Sequence, residues 1–176
     1  MYMKQHPFQK LGLNDTIVRV TDRLYFKQPT EIQKKAIPLI LQGKSVVGQS
    51  QTGSGKTHAF LLPLLNNIDE RHKQVQTVIT APTRELAIQL FDEIKTIQKH
   101  ANKEDEWHTR LIIGGLDRER MMRQLQSRTP HIIVGTPGRI LDMIDAGVLS
   151  IYKAKSIVID EADLMLDLKF IDKIDA

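Results

Sequence analysis

A glycine-rich segment that directly follows a short apolar run is the feature that most limits how this chain can fold. Ser45-Val46-Val47-Gly48 has the composition of a strand, and residues 50–57 follow it with the sequence Ser-Gln-Thr-Gly-Ser-Gly-Lys-Thr. Glycine tolerates the backbone angles of a tight turn and lets a ligand approach the chain closely. A strand, such a loop and then a helix are typical of α/β domains that hold phosphate groups at the start of the helix.

Five short runs rich in β-branched residues predict the strands of one parallel sheet. Their apolar character is nearly continuous, as expected of buried strands that helices cover on both faces. Because helical patterns alternate with these runs, the sequence predicts a doubly wound α/β domain. The predicted strands are Ser45–Gly48, Val75–Ala81, Arg110–Gly114, His131–Gly135 and Ser156–Asp160, and the predicted helices are Glu85–Lys99, Arg118–Gln126 and Arg139–Ile144.

The composition is that of an ordinary soluble domain. The 176 residues suffice for one domain with a substantial core, and 41% of them are hydrophobic. The net charge of +4 is compatible with a polyanionic partner, although the basic stretch from Arg110 to Arg128 is equally explained as a solvated helix face. The sequence has no cysteine and no apolar segment of signal-peptide or membrane-spanning length, so we expect a cytosolic protein.

Four unusual segments each follow the end of a predicted strand. They are residues 50–57, 82–85, 136–139 and 160–163. Ligands of open parallel sheets bind at the carboxyl ends of the strands. We therefore expect these four separate segments to meet at one rim of the sheet.

The first and last of these segments have the chemistry for binding a nucleoside triphosphate. Backbone N–H groups of the loop would surround the phosphates, Lys56 would reach the β- and γ-phosphates, and the hydroxyl of Thr57 would ligate magnesium. Asp160 would contact the same magnesium, and Glu161 would orient the attacking water or accept its proton. The alternatives are a plain strand-to-helix turn for the loop and a helix cap for Asp160.

The residues alone leave the roles of several other side chains open. Thr30 and Gln33 form a predicted capping box, which accounts for both, and Phe26 is favoured as a core aromatic. Thr136 stands at a predicted helix start, which fits ordinary capping and phosphate binding beside Arg139 equally well. The same ambiguity applies to Arg84, and Gly114-Gly115 is either a turn or a point of close phosphate approach.

Taken in order, these segments resemble the motifs of the DEAD-box RNA helicases. The matching segments are residues 26–33 (Q motif), 50–57 (motif I), 82–87 (motif Ia), Gly114-Gly115, 136–139 (motif Ib) and Asp160-Glu161-Ala162-Asp163 (motif II). Phe8 stands where the family has an isolated upstream aromatic residue. The resemblance covers nearly the whole chain and implies a RecA-like fold, ATP and Mg²⁺ as cofactors, and RNA as partner.

The resemblance also implies a role for each motif residue. ATP would be held by Phe26 and Gln33 at the adenine and by Ser50, Gln51, Thr52, Gly53, Ser54, Gly55, Lys56 and Thr57. Catalysis would depend on Lys56, Asp160 and Glu161, and magnesium would be bound by Thr57 and Asp160. The sugar-phosphate backbone of RNA would contact Thr83, Arg84, Gly115, Thr136, Gly138 and Arg139, with little sequence preference. Asp163 would couple ATP hydrolysis to RNA binding.

Two residues depart from the family pattern. Ser50 stands where alanine or glycine is usual, and Tyr25 replaces the glycine that usually precedes Phe26. The resemblance implies an N-terminal segment with the Q motif over residues 1–35 and an incomplete first RecA-like domain over residues 36–176. The second RecA-like domain, which carries an arginine finger in the family, is absent from this sequence.

The whole protein implied by the resemblance is a cytoplasmic RNA-dependent ATPase and helicase of the bacterial cold-shock or RNA-decay type. Its expected partners are RNA, the second RecA-like domain in cis, and RNA-decay or ribosome-assembly proteins. The isolated fragment is expected to bind nucleotide weakly and to hydrolyse it barely. The alternatives are a non-catalytic ATP-gated RNA clamp, a DNA-directed motor or another P-loop ATPase, and a metabolite kinase, which would leave residues 82–85 and 136–139 unexplained.

Overall fold

The computed structural model of the chain describes residues 4–49 and 55–161. Two compact units make up the chain: Met1–Asp69 with Thr96–Glu104, and Glu70–Lys95 with Asp105–Ala176. The predicted site residues Ser50, Gln51, Thr52, Gly53, Ser54 and Asp163 lie outside the described residues. None of the helices in the described part of the chain is long and apolar enough to cross a membrane.

The second unit is built on a parallel sheet. Its described strands are β1 (Thr77–Thr80), β2 (Thr109–Ile112), β3 (Ile132–Gly135) and β4 (Ser156–Ile159), in the spatial order β2-β3-β1-β4. The register aligns the last residues of all four strands, because Thr80 pairs with Gly135 and with Ile159, and Ile112 pairs with Gly135. The segments that follow the strands therefore leave the sheet at one edge, as the sequence predicts.

Helices cover both faces of this sheet. Helix α4 (Arg84–Ala101) connects β1 to β2, whereas α5 (Arg118–Ser127) and α6 (Pro137–Asp145) belong to connections that run in the opposite direction across the sheet. Because crossovers between parallel strands are right-handed in nearly all proteins, the reversal puts α4 on one face and α5 and α6 on the other. The predicted doubly wound arrangement is confirmed, and the three predicted helices differ from the observed ones by two residues at most.

The core of the second unit confirms that the two inner strands are buried along their whole length. Every residue of β1 and β3 is buried, and side chains of α5 and α6 pack against Val78, Ile112 and Ile133 on one face. The strands at the two edges of the described sheet are less buried than predicted, and Ile157 of β4 is 44% exposed. An edge strand has a neighbour on one side only, so its side chains keep contact with solvent.

Gly135, at the carboxyl end of β3, allows an unusually close approach of β2. A Cβ atom at this position would lie only 2.1 Å from the carbonyl oxygen of Ile112. The next residue, Thr136, continues the ladder with an N–H···O bond of 3.1 Å to the same oxygen. Glycine is therefore required here for the two strands to stay paired up to their ends.

The first unit is helical over its described residues. It contains a short 3₁₀-helix (Gln9–Leu11), α1 (Asp15–Arg23), α2 (Glu31–Leu41) and α3 (Lys56–Asn66), and α2 packs against α3. The predicted capping box at the start of α2 is confirmed: the side chain of Thr30 accepts from the N–H of Gln33, and the side chain of Gln33 accepts from the N–H of Thr30. The ring of Phe8 is fully buried, and its centroid lies 6.4 Å from that of Phe26.

The predicted strand Ser45–Gly48 is wrong. These residues form no strand, all four are exposed, and Val47 is fully accessible to solvent. An apolar run of four residues becomes a strand only when a neighbouring strand supplies hydrogen-bond partners, and none of the described strands pairs with it. Propensity alone could not reveal whether such a partner exists.

Two histidines pair at the amino ends of β2 and β3. The N–H of His108 donates to Nδ1 of His131 at 3.0 Å, and the N–H of His131 donates to the carbonyl oxygen of His108 at 2.8 Å. Burial, and then repulsion from Arg128 and Arg110, lower the pKa of His108 to about 4. Burial also lowers the pKa of His131. Both rings are therefore neutral at pH 7, and the bond to Nδ1 needs an unprotonated His131.

Candidate functional site

A groove lies at the carboxyl edge of the sheet in the second unit. It is formed by three chain segments that are distant in sequence and that each follow a strand. Its lining residues are Pro82, Thr83, Arg84, Glu85, Gly114, Thr136, Gly138, Arg139 and Asp142. Of the four segments predicted to meet at one rim, residues 82–85 and 136–139 line this groove, together with Gly114, which was not among the four. The convergence of residues 50–57 and 160–163 with them stays a prediction.

Arg84 lies directly against the glycine pair on the loop after β2. A Cβ atom at Gly114 would lie 2.8 Å from Nη2 of Arg84, and one at Gly115 would lie 2.8 Å from Nη1. Gly115 also has a φ of +84°, which favours glycine strongly. The pair thus leaves room for the guanidinium to extend along the wall of the groove. Both predicted residues, Arg84 and Gly115, are brought together at this point.

Asp142, which also lines the groove, binds two arginines. Its Oδ2 accepts from Nε of Arg118 at 2.9 Å and from Nη1 of Arg139 at 3.2 Å, and its Oδ1 accepts from Nη2 of Arg118 at 2.9 Å. The hydrogen bonds and charge of Arg118, followed by the charge of Arg139, hold the pKa of Asp142 below its ordinary value. The carboxylate is therefore ionised at neutral pH and fixes the position of Arg139.

The two threonines of the groove use their hydroxyl groups differently. Thr83 caps α4, since its Oγ1 accepts from the N–H of Leu86 at 3.2 Å. Thr136 occupies the N-cap position of α6, with Pro137 at the first helical position, yet its side chain makes no capping bond. A Cβ atom at Gly138 would meet no other atom within 4 Å. The first turn of α6 therefore faces open space with N–H groups that the threonine does not cap, which suits an anion.

Gln33 links the Q-motif segment to the end of the glycine-rich loop in the first unit. The side chain is 3% exposed, and its Nε2 donates to the carbonyl oxygen of Gly55 at 3.1 Å while its Oε1 accepts from the N–H of Thr30 at 2.9 Å. A side-chain amide has two N–H groups and two lone pairs. Counting bonds to the described residues alone, the side chain of Gln33 keeps one donor and one acceptor, the pair that reads the N6 and N7 edge of adenine.

The start of α3 fits the phosphate groups of a nucleotide. Gly55 occupies the N-cap position with a φ of +81° and is followed by Lys56 and Thr57. Because glycine has no side chain, nothing at this position caps the helix. The first N–H groups of a helix have no partner within the helix, and the positive end of its dipole attracts anions. Nearby, the ring of Phe26 meets that of His58 edge-on, with centroids 4.9 Å apart. Phe26 is half-buried, so it is neither a fully buried core aromatic nor a fully exposed stacking surface.

The predicted acidic pair follows β4 in the second unit. The N–H of Asp160 donates to the carbonyl oxygen of Thr80 at 3.0 Å, which fixes the backbone beside the carboxyl end of β1. Glu161 has a φ of +53°, an uncommon conformation for a residue with a side chain. Thr57 belongs to the first unit and Asp160 to the second, so their joint magnesium site stays a prediction.

Asp142 lines the groove although sequence reasoning did not select it, and so does Glu85, which belongs to the predicted segment 82–85 but was given no role. Asp142 follows Arg139 by three residues, which places both on one face of a helix. That spacing was a usable signal. Arg118 was noted only as part of a basic stretch. Its bond to Asp142 joins α5 to α6, so no local sequence pattern predicts this bond.

The fold and the groove define a RecA-like α/β domain, and comparison with known proteins gives its family. A family model of DEAD/DEAH box helicases matches residues 30–176. The chain therefore belongs to the DEAD/DEAH box helicase family.

Named relatives agree with this assignment. The chain is 48% identical to the DEAD-box ATP-dependent RNA helicase CshB of Listeria monocytogenes, over 98% of the chain and 39% of that protein. It resembles the crystal structure of a DEAD box protein from the hyperthermophile Methanococcus jannaschii, with 38% identity and a TM-score of 0.83 over 98% of the chain and 46% of that structure. A variant of S. cerevisiae dbp5 bound to nup159, gle1, IP6 and ADP is 31% identical, with a TM-score of 0.76 over 89% of the chain and 40% of that structure.

The chain thus spans about two fifths of the length of the curated relative that it matches.

Proposed function

We propose that this chain is the first RecA-like domain of an ATP-dependent RNA helicase or RNA remodeller, and that its groove holds the backbone of single-stranded RNA. The observation that supports this most is the meeting of Thr83, Arg84, Thr136, Gly138 and Arg139 in one groove at the carboxyl edge of the sheet. The name of the Listeria monocytogenes relative describes the same activity.

The groove residues are suited to phosphate rather than to bases. Arg84 presents a guanidinium group, and the first turn of α6 presents N–H groups beside Arg139. Such groups read charge and backbone geometry, which are the same for every sequence. Binding therefore depends little on RNA sequence and weakens steeply as salt rises.

ATP occupies the start of α3 in this proposal. Gln33 uses its remaining donor and acceptor on the adenine edge, Phe26 lies against the ring, and Lys56 binds the phosphates. The ADP bound in the S. cerevisiae dbp5 structure supports an adenine nucleotide as the ligand. Thr57 and Asp160 would hold magnesium, which would supply positive charge to the phosphates, and Glu161 would position the attacking water and take its proton.

The complete reaction needs more than these residues. An arginine finger is worth about a thousandfold or more in phosphoryl transfer, and none of the motif residues here supplies it. We propose that a second RecA-like domain in cis provides this group and closes on ATP and RNA. The 176-residue chain alone then binds adenine nucleotide weakly and turns over little. We further propose a cytoplasmic location and partners in RNA decay or ribosome assembly.

ATP hydrolysis by the full-length protein, measured with and without single-stranded RNA, tests this proposal. We expect RNA to stimulate turnover, single-stranded DNA of the same length to stimulate it far less, and Lys56→Ala to abolish the effect by weakening ATP binding. RNA binding that depends on ATP without any turnover would instead indicate a non-catalytic clamp. Equal stimulation by DNA would contradict RNA as the substrate.

A further inference from the structure

The groove contains a carboxylate where a phosphate backbone is expected to lie. Asp142 lines the groove together with Arg139, and the two are ion-paired at 3.2 Å. A carboxylate in this position repels phosphate and competes with it for the same guanidinium. Arg84 differs from Arg139 in this respect, since it forms no ion pair with any described residue.

Arg118 reaches Asp142 from outside the groove. It is absent from the residues that line the groove in the described part of the chain, yet it binds both oxygens of Asp142 at 2.9 Å. This paired, planar contact is the strongest form of guanidinium–carboxylate interaction. Arg139, by contrast, makes one longer contact with the same carboxylate. The negative charge of Asp142 is thus balanced mainly by Arg118.

The geometry points to Arg118 as a positioning residue for RNA binding. We infer that Arg118 occupies the carboxylate of Asp142, so that Asp142 orients Arg139 without neutralising it, and the charge of Arg139 stays available to a phosphate of RNA. This inference rests on the proposed function of the groove. Arg118 thus affects RNA binding through Asp142 and Arg139 and does not itself contact RNA.

Two other interpretations make different predictions. If Arg118 and Asp142 only fasten α5 to α6, losing either partner should weaken the protein in the same way. If Arg118 contacts phosphate directly, removing Asp142 should not compensate for its loss. If Arg118 acts by occupying Asp142, loss of Arg118 leaves a carboxylate that pairs with Arg139 alone, and removing that carboxylate restores binding.

The test is a double-mutant cycle in the full-length protein, read by affinity for a single-stranded RNA and by its salt dependence. We expect Arg118→Gln to weaken binding on the order of tenfold, as for one charge-assisted contact. The slope of log affinity against log salt should become shallower by about 0.7, the value for one phosphate on a single strand. Asp142→Asn should bind at least as tightly as the wild type, and the double variant should recover wild-type affinity and slope.

Glu85 provides the matched control. It is the other carboxylate on the groove, and it contacts neither Arg118 nor Arg139 among the described residues. Glu85→Gln changes the net charge as Asp142→Asn does, so its combination with Arg118→Gln should not recover binding. Recovery by Glu85→Gln, no recovery by Asp142→Asn, or unchanged binding in Arg118→Gln would each overturn the inference. A wild-type protein that fails to bind RNA would overturn the proposed function instead.

Discussion

Replacing Gly55 by alanine should destabilise the first unit through two separable effects. Gly55 has a φ of +81°, and a Cβ atom there would lie 2.5 Å from Nε2 of Gln33 and 3.0 Å from Cγ2 of Thr30. The new methyl group therefore displaces the side chain of Gln33 and breaks its bond to the carbonyl oxygen of Gly55. Because Gln33 is buried, its amide loses a partner that water does not readily replace.

The size of the effect follows from these two contributions. The left-handed conformation costs alanine about 1–2 kcal/mol, of which about 0.4–1 kcal/mol is offset by the lower entropy of the unfolded chain. A buried amide left without its partner costs a further 1–3 kcal/mol, roughly. We expect a total loss of about 2–4 kcal/mol in the free energy of unfolding.

Gly43→Ala is the matched control, measured by urea unfolding beside Gly55→Ala. Gly43 has a similar φ of +77°, but a Cβ atom there meets nothing within 4 Å. Gly43→Ala should therefore cost only the backbone contribution, about 1 kcal/mol or less. The difference between the two variants isolates the contacts of the new Cβ atom with Gln33 and Thr30. Equal destabilisation by both variants would refute the role given to these contacts.

Three further predictions concern pH, strain and catalysis. Folding lowers the pKa of His108 to about 4 and also lowers the pKa of His131, so their contribution to stability is complete above pH 6.5 and is lost progressively as the pH falls below it. After allowance for solvent screening, we expect urea unfolding at pH 5 to show a loss on the order of 1 kcal/mol relative to pH 7. Tyr25→Gly should stabilise the chain by about 0.5–1 kcal/mol in the same assay, because Tyr25 is 88% exposed and has a φ of 60°. Glu161→Gln in the full-length protein should still bind ATP and RNA, while steady-state turnover falls by about 10²–10⁴-fold.

Each of these predictions has a result that contradicts it. The pH effect should disappear in a His108→Gln, His131→Gln double variant and persist in His72→Gln, which removes an exposed histidine. Tyr25→Ala keeps the left-handed conformation and should leave stability nearly unchanged; a gain equal to that of glycine would rule out backbone strain as the cause. Normal turnover in Glu161→Gln would remove that residue from catalysis.

Most of the sheet could be predicted because burial on both faces leaves a simple sequence signal. β1 and β3 are rich in β-branched residues and buried at every position inside the sheet, so composition and position agree. Ser45–Gly48 has the same composition but is exposed. The wrong prediction of this strand shows that an apolar run indicates only a preference for the extended conformation. Strand formation also depends on a pairing partner that is distant in sequence.

The sequence could predict the site residues that directly follow the ends of strands. It could not predict contacts between side chains that are distant in sequence. Thr83, Arg84, Thr136 and Arg139 could be placed together from the order of strands and loops alone. The bond between Arg118 and Asp142 depends on how α5 and α6 pack on the sheet, and sequence spacing does not encode it. The capping box of Thr30 and Gln33 was visible in four consecutive residues, whereas the contact of Gln33 with Gly55 required the fold.

The close approach of β2 and β3 at Gly135 sets the width of the groove that lies beyond the carboxyl ends of these strands. Gly114 and Thr136 stand on loops that begin at these two strand ends, so their separation is determined where the strands touch. Any larger residue at position 135 would push on the carbonyl oxygen of Ile112, which cannot rotate away. The loops that follow β2 and β3 would then move apart. Gly135 is not among the described residues that line the groove, yet it controls the width of the groove, so its mutation would weaken binding while every binding group is still in place.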